Sequence, residues 1–324
     1  KIYLTDLTFT SEAQLLNIIQ KIVAQVGRRV DESSPMVDAR MPDGSRFNAI
    51  IPPLAIDGAL VSIRKFKQSK MSLDDYVRYG SMSEGMSRFL KVCGASRLNI
   101  LVSGGTGSGK TTMLNAISEY IDHGERVVTI EDAAELQLKQ PHVLRLETRP
   151  PNMEGHGAIS QRALLKNALR MRPDRIILGE IRSEEVIDVL QAMNTGHEGS
   201  MATIHSNSPR DCLTRVENLI GMSGITLPIG ALRQQIASSI HLVVQVQRMR
   251  DGVRRVTNIT EVCGTEGEVI TTQELFTFVS GQMGQDGKLT GSYRSTHIRP
   301  TFRTQVEYFG LHKELDEALE LHKA

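Results

Sequence analysis

An α/β fold with a mostly parallel sheet, preceded by a small α+β domain, follows from three features of the sequence. From Leu98 onward, short apolar runs alternate with helical patterns, the order that builds a doubly wound sheet. Before that point one amphipathic helix is followed by a hairpin pattern. A Gly-rich segment at residues 104–111 joins an apolar run to a helical one, at the edge where open α/β sheets bind ligands.

The elements follow in chain order. Ile2-Tyr3-Leu4-Thr5 reads as a strand, so an upstream segment is expected ahead of Lys1. Residues 12–26 carry Leu15, Leu16, Ile18, Ile19, Ile22, Val23 and Val26 at helical spacing, with Thr10 or Ser11 to cap the start and Gly27 the end. Two alternating runs at 36–40 and 46–51 flank Pro42-Asp43-Gly44, which predicts a hairpin, and 60–66 predicts another strand. Residues 1–68 thus form the small domain, and the polar stretch 69–97 reads as a linker. Strands are then predicted at 98–102, 126–130, 143–146, 175–178, 200–204 and 241–247, with helices at 110–121, 160–170, 184–193, 209–220 and 229–240. Arg250-Asp251-Gly252 turns a hairpin into 253–262. The Gly-rich residues 264–309 show no clear period and are set apart as a C-terminal subdomain from about 264, closed by a helix at 313–322.

Composition narrows the function. At 324 residues the prior is about two domains. A net charge of +1 gives the whole molecule no pull toward nucleic acid or anionic lipid. The longest apolar runs, such as 176–178 and 242–244, fall far short of the roughly 18–20 residues of a membrane span, so membrane work is expected only through partners. Cys93, Cys212 and Cys263 lack metal-ligand spacing and read as free thiols of a reducing, cytoplasmic compartment.

Gly104-Gly105-Thr106-Gly107-Ser108-Gly109-Lys110-Thr111 matches G-x-x-x-x-G-K-[ST] in full, between the predicted strand and helix that the motif requires. Glycines let successive N–H groups surround phosphate oxygens, and the helix N-terminus adds partial positive charge. Lys110 is placed to neutralise the β/γ-phosphates and Thr111 to ligate Mg²⁺, with Thr112 next along the first turn. The motif by itself leaves kinases, GTPases, RecA-type motors and transporters open.

Hydrolysis also needs a Mg²⁺-directing carboxylate and a group to position water. The apolar strand 175–178 runs through Gly179 into Glu180, which has the logic of a Walker B strand with its tip beside the phosphate loop. Residues 127–130 repeat the design and end in Glu131 and Asp132; Glu131 is expected to share the water-positioning work, and Asp132 serves either that site or the turn that follows. His197 and His205 flank the strand at 200–204, and His205 is placed to sense the γ-phosphate.

The order of these segments resembles the secretion ATPase superfamily of type II and type IV secretion, type IV pili and archaella: a Walker A box (104–111), an acidic box (129–132), a Walker B strand ending in Gly-Glu (176–180, followed by Ile181-Arg182) and a His box (196–206). Segments 31–40, 48–53, 63–66, 149–155 and 168–174 are similar to the CpaF-type ATPase of tight-adherence (Flp) pili. The resemblance implies a RecA-like core with a PAS-like N-terminal domain, ATP and Mg²⁺ as substrate and cofactor, and a homohexameric ring in the cytoplasm at the inner membrane, coupled to a platform protein and using no nucleic acid. It also implies that arginines of the N-terminal domain reach the phosphates, for which Arg46 and Arg64 are the candidates; Arg170, Arg172 and Arg182 compete for the role. Two rival readings are a RecA-type DNA motor, opposed by the near-zero charge and 4% aromatic content, and a nucleotide-gated scaffold, opposed by the pair Glu131 and Glu180.

Overall fold

The computed structural model describes residues 3–65, 71–151, 155–225, 227–285 and 287–321, in two compact units, Lys1–Ser69 and Lys70–Ala324. Lys1, Ile2, Phe66, residues 152–154 and His322, which figure in the sequence reading, lie outside the described residues.

In the first unit, α1 (Glu12–Gln25) begins at Ser11, whose Oγ accepts the Gln14 N–H at 3.2 Å, and is followed by Gly27 at φ +66°. Its Ile19 and Val23 pack on Val37, Phe47 and Ala49 of a three-stranded antiparallel sheet, β1 (Met36–Arg40), β2 (Arg46–Ile50) and β3 (Leu60–Arg64). The predicted turn holds: Met41 N–H donates to the Ser45 carbonyl at 2.8 Å, and Asp43 accepts the Ser45 N–H at 2.9 Å. Register places Arg40, Arg46 and Arg64 opposite one another in one row across the sheet. Tyr3-Leu4-Thr5 form no strand, and both Tyr3 and Leu4 are exposed; an extended run without a neighbour has no ladder to join.

The stretch expected as a linker is instead structural. Residues 73–95 form α2 (Leu73–Arg78) and α3 (Glu84–Ala95), and Leu73, Tyr76, Met82, Met86, Phe89, Leu90 and Cys93 are buried in the core of the second unit. Its polar composition hid an apolar face at helical spacing. There follow β4 (Ile100–Ser103), α4 (Lys110–Ser118), β5 (Val127–Glu131), β6 (Val143–Glu147), α5 (Gln161–Ala168), β7 (Arg175–Ile181), α6 (Glu185–Asn194), β8 (Met201–Ile204), α7 (Pro209–Met222), α8 (Ile229–Ser239) and β9 (Leu242–Arg248). The chain then continues through β10 (Arg254–Glu266), β11 (Val269–Met283), β12 (Leu289–Ser295), α9 (Arg303–Tyr308) and α10 (His312–Glu320).

One nine-stranded sheet runs β12-β11-β10-β9-β4-β8-β7-β5-β6. The six strands from β9 to β6 are parallel, and β10, β11 and β12 extend them as antiparallel neighbours. Alternate residues of the parallel strands supply two cores: Ile100, Val102 and Val244 pack with α3, α4 and α10 on one face, and Leu101, Leu178 and Val243 with α5 to α8 on the other. The C-terminal region is therefore no separate subdomain. β10 passes through residue 264 unbroken, and Leu275 and Phe276 of β11 lie in the main core, Phe276 edge-on to Phe89 at 5.1 Å.

Candidate active site

The chain leaves β4 for α4 and then β5, which lies beyond β8 and β7; β9 lies on the other side of β4. The carboxyl end of β4 is thus where the connections diverge, the crevice in which open α/β sheets take ligands. The Gly-rich loop fills it. A Cβ on Gly104 would collide with the Val246 carbonyl, and Gly107 (φ +69°) and Gly109 (φ +102°) hold left-handed conformations that bend the loop back onto the helix. Gly109 is the N-cap residue of α4 without a side-chain cap, so the first-turn N–H groups at Lys110, Thr111 and Thr112 face the loop with no acceptor within the helix. Ser108 is buried, and its Oγ has no hydrogen-bond partner among the described residues. The Lys110 ammonium donates to the Gly105 carbonyl at 3.1 Å; burial lowers its pKa.

Glu180 reaches this loop by a route other than the one the sequence suggested. β7 is not beside β4, because β8 lies between them. Register between β7 and β8 slips after Leu178↔Ala202 and resumes at Ile181↔Ile204, a bulge that re-aims Gly179 and Glu180. Thr203 of β8 fixes the bulge by donating its hydroxyl to the Gly179 carbonyl at 2.6 Å. His205, just past the end of β8, spans the gap: its Nε2 lies 2.9 Å from Glu180 Oε1, and its ring nitrogens lie 3.4 and 3.5 Å from Lys110 Nζ. Burial and then the Lys110 charge lower the His205 pKa, so the ring is neutral near pH 7 and its Nε2–H is assigned to Glu180. The other carboxylate oxygen accepts Arg182 Nη2 at 2.7 Å, and Arg182 Nη1 pairs with Asp132 at 2.9 Å. A chain of polar contacts, Asp132–Arg182–Glu180–His205–Lys110, with a neutral imidazole between the last carboxylate and the ammonium, thereby links the tips of β5, β7 and β8 to the loop.

Glu131 does not share that network. Its side chain is only 3% exposed and turns away from the edge, Oε1 accepting the N–H groups of Glu135 and Leu136 at 2.9 Å each. Oε2 has no partner among the described residues, and burial pushes the carboxyl up to about 7. Gly179 makes room for it, since a Cβ there would sit 2.8 Å from Glu131 Cγ. Glu131 shapes the loop after β5, which the Gln137 N–H ties to Asn115 of α4 at 3.0 Å. Glu135, a half-buried carboxylate, is carried by that loop and gives its own N–H to Glu131.

The three competing arginines separate in space. Arg182 belongs to the network, whereas Arg170 and Arg172 precede the amino end of β7, at the opposite edge of the sheet. Arg46 and Arg64 belong to the first unit, as cross-strand neighbours on β2 and β3. His197 and His205 sit at opposite ends of β8 and cannot share an ion. Among the described residues no three His, Cys, Asp or Glu side chains gather as a metal site. A hydroxyl, one carboxylate and the substrate's own phosphates are a usual Mg²⁺ donor set, and Thr111 and Glu180 are the residues that could supply the protein's part of it.

The Type II/IV secretion system protein family model matches residues 2–298. The chain belongs to that family. A putative conjugal transfer protein of Mycobacterium tuberculosis is 36% identical over 82% of this chain and 76% of its own length. The probable conjugal transfer protein TrbB of Sinorhizobium fredii is 34% identical over 78% of this chain and 75% of its own. Among solved structures, the pilus retraction motor PilT with bound ADP covers 93% of this chain and 74% of its own at 19% identity and a TM-score of 0.54. The Yersinia pseudotuberculosis ATPase DotB covers 97% and 74% at 16% and 0.55. At these identities the structures show the fold alone, a large mostly parallel α/β sheet. No helix among the described residues is long and apolar enough to cross a membrane.

Proposed function

We propose that this chain is the ATP-hydrolysing motor of a type II/IV secretion-type machine, working as a homohexameric ring on the cytoplasmic side of the inner membrane and coupled to a membrane platform protein. The observation that carries the reading is the join made by His205 between Lys110 of the phosphate loop and Glu180 of β7. A nucleotide-gated scaffold needs the first and not the second.

In this reading residues 104–112 cradle the phosphates of Mg–ATP through backbone N–H groups, the Lys110 charge and the Thr111 hydroxyl. Mg²⁺, when bound there, would supply positive charge to the phosphates. Glu180, held in one orientation by Arg182 and His205, faces the metal and the attacking water. His205, in contact with both Lys110 and Glu180, registers whether a γ-phosphate is present. Glu131 acts indirectly, by shaping the loop that carries Glu135. Arg46 and Arg64 supply further positive charge to the phosphates in the ring. Binding closes and release reopens the assembly, and the difference in affinity between the two states does the work.

Within the family, the segments at 31–40, 48–53, 149–155 and 168–174 support tight-adherence (Flp) pilus assembly. A conjugal transfer machine is the second reading, favoured by the names of relatives at 34–36% identity. Loss of surface pili in a strain lacking the chain supports the first, and loss of plasmid transfer the second. The motor itself is tested by steady-state ATPase rate against protein concentration, with mass photometry at each point, for wild type and Glu180→Gln. A rate per chain that rises as hexamers form and vanishes in the variant supports a shared-site ring. A rate independent of assembly removes the roles of Arg46 and Arg64 in neighbouring copies.

A further inference from the structure

The outward side of the phosphate loop has a partner from the C-terminal part of the sheet. Arg254, the first residue of β10, donates its Nε–H to the Gly107 carbonyl at 2.8 Å. Its aliphatic stem lies across the loop, so that a Cβ on Gly109 would sit 3.2 Å from Arg254 Cδ. Arg254 is solvent-exposed, and that carbonyl is the one hydrogen-bond partner of its side chain among the described residues.

The turn that delivers Arg254 is clamped. The side chain of Asp251 is shielded from solvent between β10 and β12: Oδ1 accepts the Val253 N–H and Arg255 Nη1 at 3.0 Å each, and Oδ2 accepts the Leu289 N–H at 3.1 Å and pairs with Arg255 Nη2 at 2.8 Å. Arg255 in turn covers the Phe278 ring of β11 at 5.3 Å. Strand alternation sends Arg255 into this clamp and the preceding residue, Arg254, to the other face, toward the loop.

The carbonyl of Gly107 and the N–H of Ser108 belong to one planar trans peptide and point in opposite directions. Gly107, at φ +69°, has no side chain to restrain that plane. Arg254 restrains it from outside, while on the other side of the same peptide the Ser108 N–H donates within the loop to the Gly105 carbonyl at 3.3 Å, the bond that a phosphate oxygen would replace.

We infer that Arg254 is a positioning residue for nucleotide binding, which fixes the Gly107–Ser108 peptide so that the phosphate loop is preorganised before the nucleotide arrives. This rests on the reading of the loop as a nucleotide site. The β-phosphate meets the loop in both ATP and ADP, so both nucleotides gain equally, and the chemical step gains nothing.

The test is titration calorimetry of Mg–ADP and Mg–ATPγS on the full chain, with steady-state turnover and the thermal midpoint of the nucleotide-free protein. Arg254→Ala raises both dissociation constants about tenfold, the worth of one hydrogen bond from a charged donor. It leaves kcat within about twofold and the midpoint unchanged. Arg254→Lys, which still reaches a carbonyl with a charged donor, recovers most of the affinity. Asp251→Asn loosens the turn and weakens binding in the wild-type background, but adds nothing to Arg254→Ala, because both act through one contact. Wild-type affinity in Arg254→Ala overturns the inference. So does a loss that tracks a lowered midpoint and is not recovered by lysine, since that is a fold defect. A wild-type chain that binds no ADP removes the nucleotide reading itself, and the inference falls with it.

Discussion

The two ends of β7 carry opposite charges in opposite circumstances. At the amino end Arg175 has no exposed surface, and its donors are met by Glu125 at 2.5 and 2.9 Å and by the Gly94 carbonyl at 2.7 Å. At the carboxyl end Glu180 keeps 18% of its side chain in solvent and shares its oxygens with Arg182, itself half-exposed, and His205, which also touches Lys110. Both ends are hydrogen-bonded, so pairing by itself does not separate structure from function. The difference lies in what a partner is free to do. Arg175 and Glu125 are locked inside low-dielectric surroundings, where breaking the pair strands a charge. The partners of Glu180 reach solvent and the phosphate loop, so their contacts are exchangeable for a nucleotide, a metal or a water.

That contrast is open to measurement. Glu180→Gln keeps the shape of the network and removes its charge; turnover falls by roughly 10²–10⁴, the range for a positioned acid–base group, while Mg–ADP still binds. Lys110→Ala loses both turnover and tight binding. Normal turnover in Glu180→Gln removes Glu180 from the chemistry and erases the distinction between the ends of β7. Arg175→Ala has the converse signature: denaturant unfolding shows a loss of about 3–5 kcal/mol, and turnover per folded molecule is retained. A stability change under about 1 kcal/mol contradicts a locked pair.

Glu131, on the neighbouring strand, sharpens the same question with a smaller effect. Glutamine in its place still accepts both loop N–H groups through its amide oxygen, so Glu131→Gln retains turnover within about twofold if Glu131 only shapes the loop. Loss of turnover returns it to the chemistry. The pH dependence has a definite sign. The unfolded carboxyl releases its proton near 4.5 and the folded one near 7, so the folded state holds the extra proton between those values. This contribution is fully present below about pH 4.5, is lost as pH rises through 7, and is on the order of 1–3 kcal/mol. Glu131→Gln removes that part of the stability slope; an unchanged slope in denaturant titrations at pH 5 and 8 contradicts the raised pKa.

Legibility along the chain followed the density of apolar residues. The parallel strands are short and rich in apolar residues, those inside the sheet being covered on both faces, and the reading placed all six within a few residues. β11 and β12 stayed unread: only Leu275 and Phe276 of β11 are buried, while Val269, Val279 and Met283 are exposed among polar residues. With apolar residues both buried and exposed along β11, no single period stands out. In residues 73–95 the buried residues were present at helical spacing, but charged neighbours masked them.

The sequence by itself determined the phosphate loop, since its glycines, lysine and threonine act through the local backbone and the helix that follows. It also determined that a carboxylate ends the strand at 175–180. Only the tertiary structure decided which carboxylate faces the loop. Strand order put β8 between β4 and β7, the bulge turned Glu180 toward His205, and packing against Gly179 turned Glu131 inward. It likewise brought Arg254 to Gly107 across 147 residues of chain. Local chemistry is written in neighbouring residues, whereas contacts between distant ones depend on register and strand order, which no short segment encodes.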